Sequence, residues 1–226
     1  MGAVMSMHRR LELLQWAQKS GAWIIEDDYD SEFRYAGKPM SSLQGIHRHG
    51  SVIDVGTLSK VFFPGLRLGY AVVPRSLIDI CQGAKYLNDR APPLLQQPMM
   101  AEFMRQGHLT SHIRRMRQVY RGARDLLVGE INRQMGSRVA TVLPDAGMQL
   151  VVYLPPGTSD LDLAEAARQK CVSVRPLSPL YVAAQPRSGL ILGFSGFEPV
   201  QLRAATSVLG KIVKSSLRAS GRKATQ

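Results

Sequence analysis

Trp23-Ile24-Ile25-Glu26-Asp27-Asp28-Tyr29-Asp30 and Val55-Gly56-Thr57-Leu58-Ser59-Lys60 are the two stretches whose reading decides the fold. The first is a short apolar run that ends in four acids around one tyrosine. The second closes the apolar run 51–55 with small and hydroxylated residues and a single lysine. Apolar runs of this length, bounded by polar residues, read as buried strands. In open α/β sheets, ligands bind just beyond the carboxyl ends of the strands. Both clusters therefore fall where chemistry is expected.

The pattern extends in both directions. Residues 8–20 have helical apolar spacing, with Gly21 as the C-cap. Residues 22–26 and 51–55 are strands, separated by a Gly-, Pro- and Ser-containing loop at 34–49. A third strand, 66–73, ends at Pro74, and helices follow at 76–86 and 94–105, divided by Ala91-Pro92-Pro93. A long helix spans 108–135. Beyond it, 139–143 and 148–154 pair around Pro144-Asp145-Ala146-Gly147. A helix at 161–170, short strands at 172–174 and 190–194, and a helix at 199–217 complete the chain. This alternation predicts an α/β fold. The expected division is 1–106, then 107–218, then a disordered basic tail at 219–226.

The 226 residues are 45% hydrophobic, which is ordinary for a globular chain. No apolar run is long enough to cross a bilayer, so no membrane partner is expected. The N-terminus lacks the apolar core of a secretory signal. Cys81 and Cys171 are far apart, which argues against a disulfide scaffold or zinc site and fits a reducing cytoplasm. No metal ligands are expected. The net charge of +12 raises the question of nucleic acid. Its densest patch, residues 105–138, includes Arg114, Arg115, Arg117, Arg121 and Arg124 on a helical pattern whose apolar stripe is Ile113, Met116, Tyr120, Leu127 and Ile131. It reads as a solvated helix face, and no nucleic-acid-binding signature is visible.

Taken jointly, the two clusters match the needs of pyridoxal 5'-phosphate (PLP). Its aldehyde needs an amine, supplied by Lys60. Its pyridine nitrogen needs an acid to hold a proton there, supplied by Asp27. A phenol, Tyr29, would bond the ring oxygen. Thr57, Ser59 and Arg67 would contact the phosphate. Strand alternation selects Asp27 among the acids, because it shares a side with Tyr29 while Asp28 faces the other way.

Trp23 to Tyr35, with Gly56 to Lys60 and Pro64-Gly65-Leu66-Arg67-Leu68-Gly69-Tyr70, resembles the MocR-type branch of the GntR transcriptional regulators. Those proteins join a winged helix-turn-helix to a domain resembling class I aminotransferases. The resemblance implies a fold-type I PLP-binding large domain, here partial (1–106). A connecting long helix and a small α+β C-terminal domain (107–218) follow. It implies Lys60 as the Schiff-base lysine, Asp27 on the pyridine nitrogen, Tyr29 on the ring oxygen and Arg67 on the phosphate. It also implies a homodimer, an amine or amino acid ligand, and DNA binding only through a winged helix absent from this chain.

Two departures bear on function. The family's chain is about twice as long, so this one reads as an N-terminally truncated fragment lacking the early large-domain strands. Aminotransferases also carry, in the last small-domain strand, an arginine that grips the substrate carboxylate, and Ile191 occupies that place here. Arg175 or Arg187 could serve instead, but each reads as a loop arginine in water. Three functions compete: a sensory effector domain exchanging its imine with an amine, an active class I/II aminotransferase, or a non-functional fragment. Ile191 favours the first over the second, the missing half favours the third, and catalytic turnover is left open.

Overall fold

The structure is a computed structural model that describes residues 4–37, 40–46, 50–90 and 95–223. Parts of the expected loop at 34–49 and the expected break at 91–93 lie outside the described residues, as do Leu94 and the tail residues 224–226. The chain divides into two compact units, Val4–Arg117 and the segment from Gln118 onward.

The first unit opens with helix α1, Met7–Ser20. Its N-terminus is closed by Ser6, whose hydroxyl accepts from the Arg9 N–H at 3.4 Å. Gly21 ends it in the left-handed conformation (φ 64°), donating its N–H to the Ala17 carbonyl. Strand β1, Ile24–Asp28, helix α2, Leu43–Ile46, strand β2, Val52–Thr57, and helix α3, Leu58–Val61, follow. A 3₁₀ turn at Pro64–Leu66 leads into β3, Gly69–Val72. Then come α4, Ile78–Asp89, α5, Gln96–Arg105, and α6, His108–Met135.

The sheet order is β1-β2-β3, with β1 and β2 parallel and β3 antiparallel to β2. Leu14 and Ala17 of α1, Leu43 of α2, Ile24 and Val52 bury one another in a single cluster. Each large apolar side chain among them contributes roughly 1.5–3 kcal/mol. This packing holds the amino-terminal ends of β1 and β2, and leaves their carboxyl ends to the acids and the lysine turn.

The second unit continues from α6. It comprises β4, Ala140–Thr141, β5, Gln149–Tyr153, α7, Asp160–Arg168, β6, Arg175–Pro176, β7, Gly189–Gly193, and α8, Pro199–Lys223. The order is β4-β5-β7-β6, all pairs antiparallel. Leu150, Val152, Leu190, Ile131, Met135, Leu163 and Val213 are buried to within 2%. Helix α8 comes close to α6, where a Cβ on Gly210 would meet Gln134 Cβ at 2.9 Å.

Two expectations are corrected. The short strand is not 172–174 but Arg175–Pro176, because the Val172 N–H turns back to the Ala167 carbonyl and Cys171 has φ 60°. The last helix continues to Lys223, past the expected end at residue 217. No helix among the described residues is long and apolar enough to cross a membrane.

Candidate functional site

The register of β1 against β2 sets Asp27 beside Val55 and Asp28 beside Gly56. Successive residues face opposite sides of a strand. Asp27 therefore shares a face with Ile25, and both are exposed. Asp28 shares the opposite face with Asp54, Gly56 and, across β3, Tyr70. Tyr29 follows, 44% exposed. Its phenol is pushed above its ordinary range first by the charge of Asp30, then by burial and by the charge of Asp27. The structure thus brings Asp27 and Tyr29 within electrostatic reach of each other.

Glu26 has a different task. It pairs with Arg10 at 3.2 Å and accepts from the N–H groups of Leu43 (2.6 Å) and Gln44 (3.4 Å), tying α1, β1 and α2 together. Asp28 accepts from the Ser31 N–H at 3.1 Å and closes the turn after the strand.

Thr57 ends β2 and begins α3. Its hydroxyl oxygen accepts from the Ser59 N–H at 3.1 Å, a helix N-cap, and its hydroxyl donates to the Leu68 carbonyl at 3.5 Å. The Leu58 N–H donates to the same carbonyl at 3.0 Å. That carbonyl ties the 64–68 turn to the start of α3, so Ser59 and Arg67 leave from neighbouring backbone. Most of the hydrogen-bonding capacity of the Thr57 hydroxyl is already in use.

Lys60 is exposed on α3, and Val61 beside it is 3% exposed. Phe62 closes α3 against Phe103 (centroids 5.0 Å) and His112 (5.2 Å). Arg67 is exposed and holds the left-handed conformation (φ 52°), which is uncommon outside glycine. Neither Lys60 nor Arg67 forms an ion pair among the described residues, and no hydrogen bond joins Lys60 to Asp27 or Tyr29 there.

Tyr70 is the residue that sequence reasoning quoted without assigning. Its ring lies across Gly56, where an added Cβ would stand 2.2 Å from Cζ and 2.4 Å from the hydroxyl oxygen. Burial, then Glu32, Asp54 and Asp28, push its phenol up. Asp54 is pushed up by burial and then by Asp28, and its Oδ1 is buried without a partner among the described residues. The glycine before Thr57 was the available signal, since a glycine inside a strand marks a close approach.

In the second unit, Ile191 is 6% exposed and packs with Val151 and Leu177, against Tyr153 and Tyr181. It offers no donor to an anion.

Among the described residues, no group of three or more His, Cys, Asp and Glu is arranged to hold a metal ion. The donor set at the β1 and β2 ends suits PLP: an amine and a guanidinium with no ion pair among the described residues, a carboxylate, a phenol and a hydroxyl.

The family described as Aminotransferase class I and II matches residues 1–205. The chain is 37% identical over 209 residues to the probable rhizopine catabolism regulatory protein MocR of Rhizobium meliloti, covering 92% of this chain and 42% of that protein. It superposes on the crystal structure of a multiple substrate aminotransferase from Thermococcus profundus with TM-score 0.87 and 28% identity, covering 96% of this chain and 54% of that one. It also superposes on LysN, an α-aminoadipate aminotransferase from Thermus thermophilus complexed with N-(5'-phosphopyridoxyl)-L-leucine. There the TM-score is 0.88 at 26% identity, over 97% of this chain and 57% of that one. The chain spans about half the length of these relatives.

Proposed function

The chain belongs to the class I and II aminotransferase family, with the fold-type I architecture and the PLP cofactor which that family implies, and from that membership we propose that it is the effector domain of a MocR-type regulator. It senses an amine or amino acid by exchange at Lys60. The supporting observation is local. Asp27 and the 56–60 turn leave adjacent parallel strand ends, and the Leu68 carbonyl draws Arg67 back to the same place.

When bound, PLP supplies an aldehyde that condenses reversibly with amines and a ring that accepts electron density. The Lys60 amine is exposed and free of any carboxylate among the described residues, so it is available to that aldehyde. Asp27 would hold a proton on the ring nitrogen. Tyr29 would donate its phenol hydrogen to the ring oxygen; the phenol, protonated at neutral pH in any case, is pushed further up by the charge of Asp30, by burial and by the charge of Asp27. Ser59 and Arg67 would bind the phosphate, with Thr57 acting chiefly as the cap on the Ser59 N–H.

The buried aliphatic setting of Ile191 supports sensing over turnover, because it gives no grip on a substrate carboxylate. Further parts of this reading are a homodimer, a cytoplasmic location, a boundary between the cofactor-binding and small domains near residue 106, and DNA contact through a winged helix outside this chain. The test is spectroscopic. Protein mixed with PLP gains visible absorbance that Lys60→Ala removes, and Asp27→Asn weakens binding more than Asp28→Asn. A band retained by Lys60→Ala refutes the lysine assignment. Amino-group turnover between an amino acid and a keto acid replaces the sensor reading with an enzyme.

A further inference from the structure

Helix α8 carries a charge pattern that neither the fold nor the PLP reading uses. Residues 199–226 hold six Lys and Arg and no Asp or Glu. Lys211, Lys214, Arg218 and Arg222 follow one another inside the helix at intervals of three, four and four residues, the spacing that lines positions up on one face. Leu202, Thr206, Leu209 and Val213 are the buried positions of the same helix. At about 3.6 residues per turn, the two rows lie about 150° apart around the helix axis. Beyond Leu217, residues 218–226 contain no apolar side chain larger than alanine.

The ordinary explanations of such a row fall short. Other arginines of this unit are neutralised: Arg133 and Arg168 each rest on a glutamate, and so does Arg203 at the start of α8. Lys211 is exposed, Lys214 is half-buried, and neither forms an ion pair among the described residues. The helix dipole favours cations in the last turn alone. That accounts for Arg222 and Lys223, but Lys211 lies about three turns earlier. The family match also stops at residue 205, before the row begins, so the aminotransferase architecture does not call for it.

We propose that this row is a docking surface for the phosphate backbone of duplex DNA, bound without regard to base sequence. From Lys211 to Arg222 the helix rises about 16 Å, a length over which one strand of B-form DNA presents about five phosphates. Cations laid along them displace condensed counterions, which is the general source of sequence-independent affinity. An anionic membrane attracts the same charges, but a helix lying on a bilayer also needs an apolar face to enter it, and residues 218–226 supply none. The choice of DNA rests on the regulator reading. The cationic row does not, and its assay contains no PLP, so a failure at Lys60 and a failure here are distinguishable.

The assay is fluorescence anisotropy of a labelled duplex of arbitrary sequence, about 30 base pairs long, titrated with the full chain at several salt concentrations. Saturable binding is expected at about 50 mM salt, with log K falling against log salt at a slope of about −3 to −4, as for four phosphate contacts. The double variants Lys211→Gln/Lys214→Gln and Arg218→Gln/Arg222→Gln should each weaken binding by about tenfold or more and reduce the slope by about 2. Arg105→Gln/Arg168→Gln removes the same net charge from two arginines already paired with glutamates. It should leave affinity within about twofold, since charges far from the contact are largely screened. A thermal melt of each variant verifies folding. The proposal is overturned if the wild-type chain does not bind the duplex, if the Arg105/Arg168 pair costs as much as either pair from the row, or if the row variants leave the salt slope unchanged. It is also overturned if they release the chain from phosphatidylserine vesicles while DNA binding stays as it was.

Discussion

Removing the Asp160 carboxylate should be the most damaging single change in the second unit. Asp160 is 2% exposed. Its Oδ2 accepts from the N–H groups of Leu177 (3.1 Å), Ser178 (2.7 Å) and Gly189 (3.1 Å), and its Oδ1 from the Ser178 hydroxyl (2.6 Å). Asp160→Ala strands three buried or half-buried N–H groups at about 1–2 kcal/mol each, so a total of roughly 3–6 kcal/mol is at risk. Asp160→Asn keeps one oxygen facing those N–H groups and loses only the charge, at about 1–2 kcal/mol. With a urea m-value of about 2 kcal/mol/M, the midpoint for this unit falls by roughly 1.5–3 M for alanine and by under about 1 M for asparagine.

The pH dependence carries a second signature. Burial raises the Asp160 carboxyl, but the Ser178 hydroxyl and the N–H groups of Ser178, Gly189 and Leu177 pull harder the other way, leaving it below its ordinary range. A depressed folded-state pKa contributes stability that is complete above the unfolded value, near 3.9, and is lost as pH falls through the folded one. The wild-type midpoint should therefore drop below about pH 4 more steeply than that of Asp160→Asn. The assay is urea unfolding followed at the Ile191 methyl, with hydrogen exchange at Leu177 and Gly189. An alanine variant within about 0.5 M of wild type, or amide protection unchanged, would refute the reasoning.

Two further outcomes follow from the first unit. Gly56→Ala should cost about 1–3 kcal/mol by displacing the Tyr70 ring. A urea double-mutant cycle should show most of that cost relieved in a Tyr70→Ala background; no coupling would mean that the ring does not lie there. Asp54→Asn should raise the urea midpoint at neutral pH. Its carboxyl is raised by burial and by Asp28, so ionisation destabilises the fold as pH rises from the ordinary carboxylate range through the folded value. The gain should vanish in acid, and a midpoint that falls at neutral pH would contradict it.

Much of the α/β framework was legible because its signals are local. Apolar runs of strand length, the Gly21 cap and the long α6 pattern each lie within a few consecutive residues. What each acid of the first cluster does was less legible. Glu26 looked like its neighbours, yet its partners Arg10 and Leu43 lie 16 and 17 residues away. Thr57 matched a phosphate contact, but Ser59 and Leu68 engage its hydroxyl. Arg175 read as a loop residue because the strand there is two residues long and gives no alternation to detect.

Residue order determined which chemical groups this protein can offer and at which strand ends they emerge, since an amine, a carboxylate and a phenol need only occur within short contiguous runs. Tertiary structure alone decided which of those groups are free. That depends on partners distant along the chain: the tyrosine lying across Gly56 and the buried aspartate that holds β6 and β7. The physical reason is that a hydrogen bond or a contact is set by register and closeness in space, and one-dimensional spacing does not encode either.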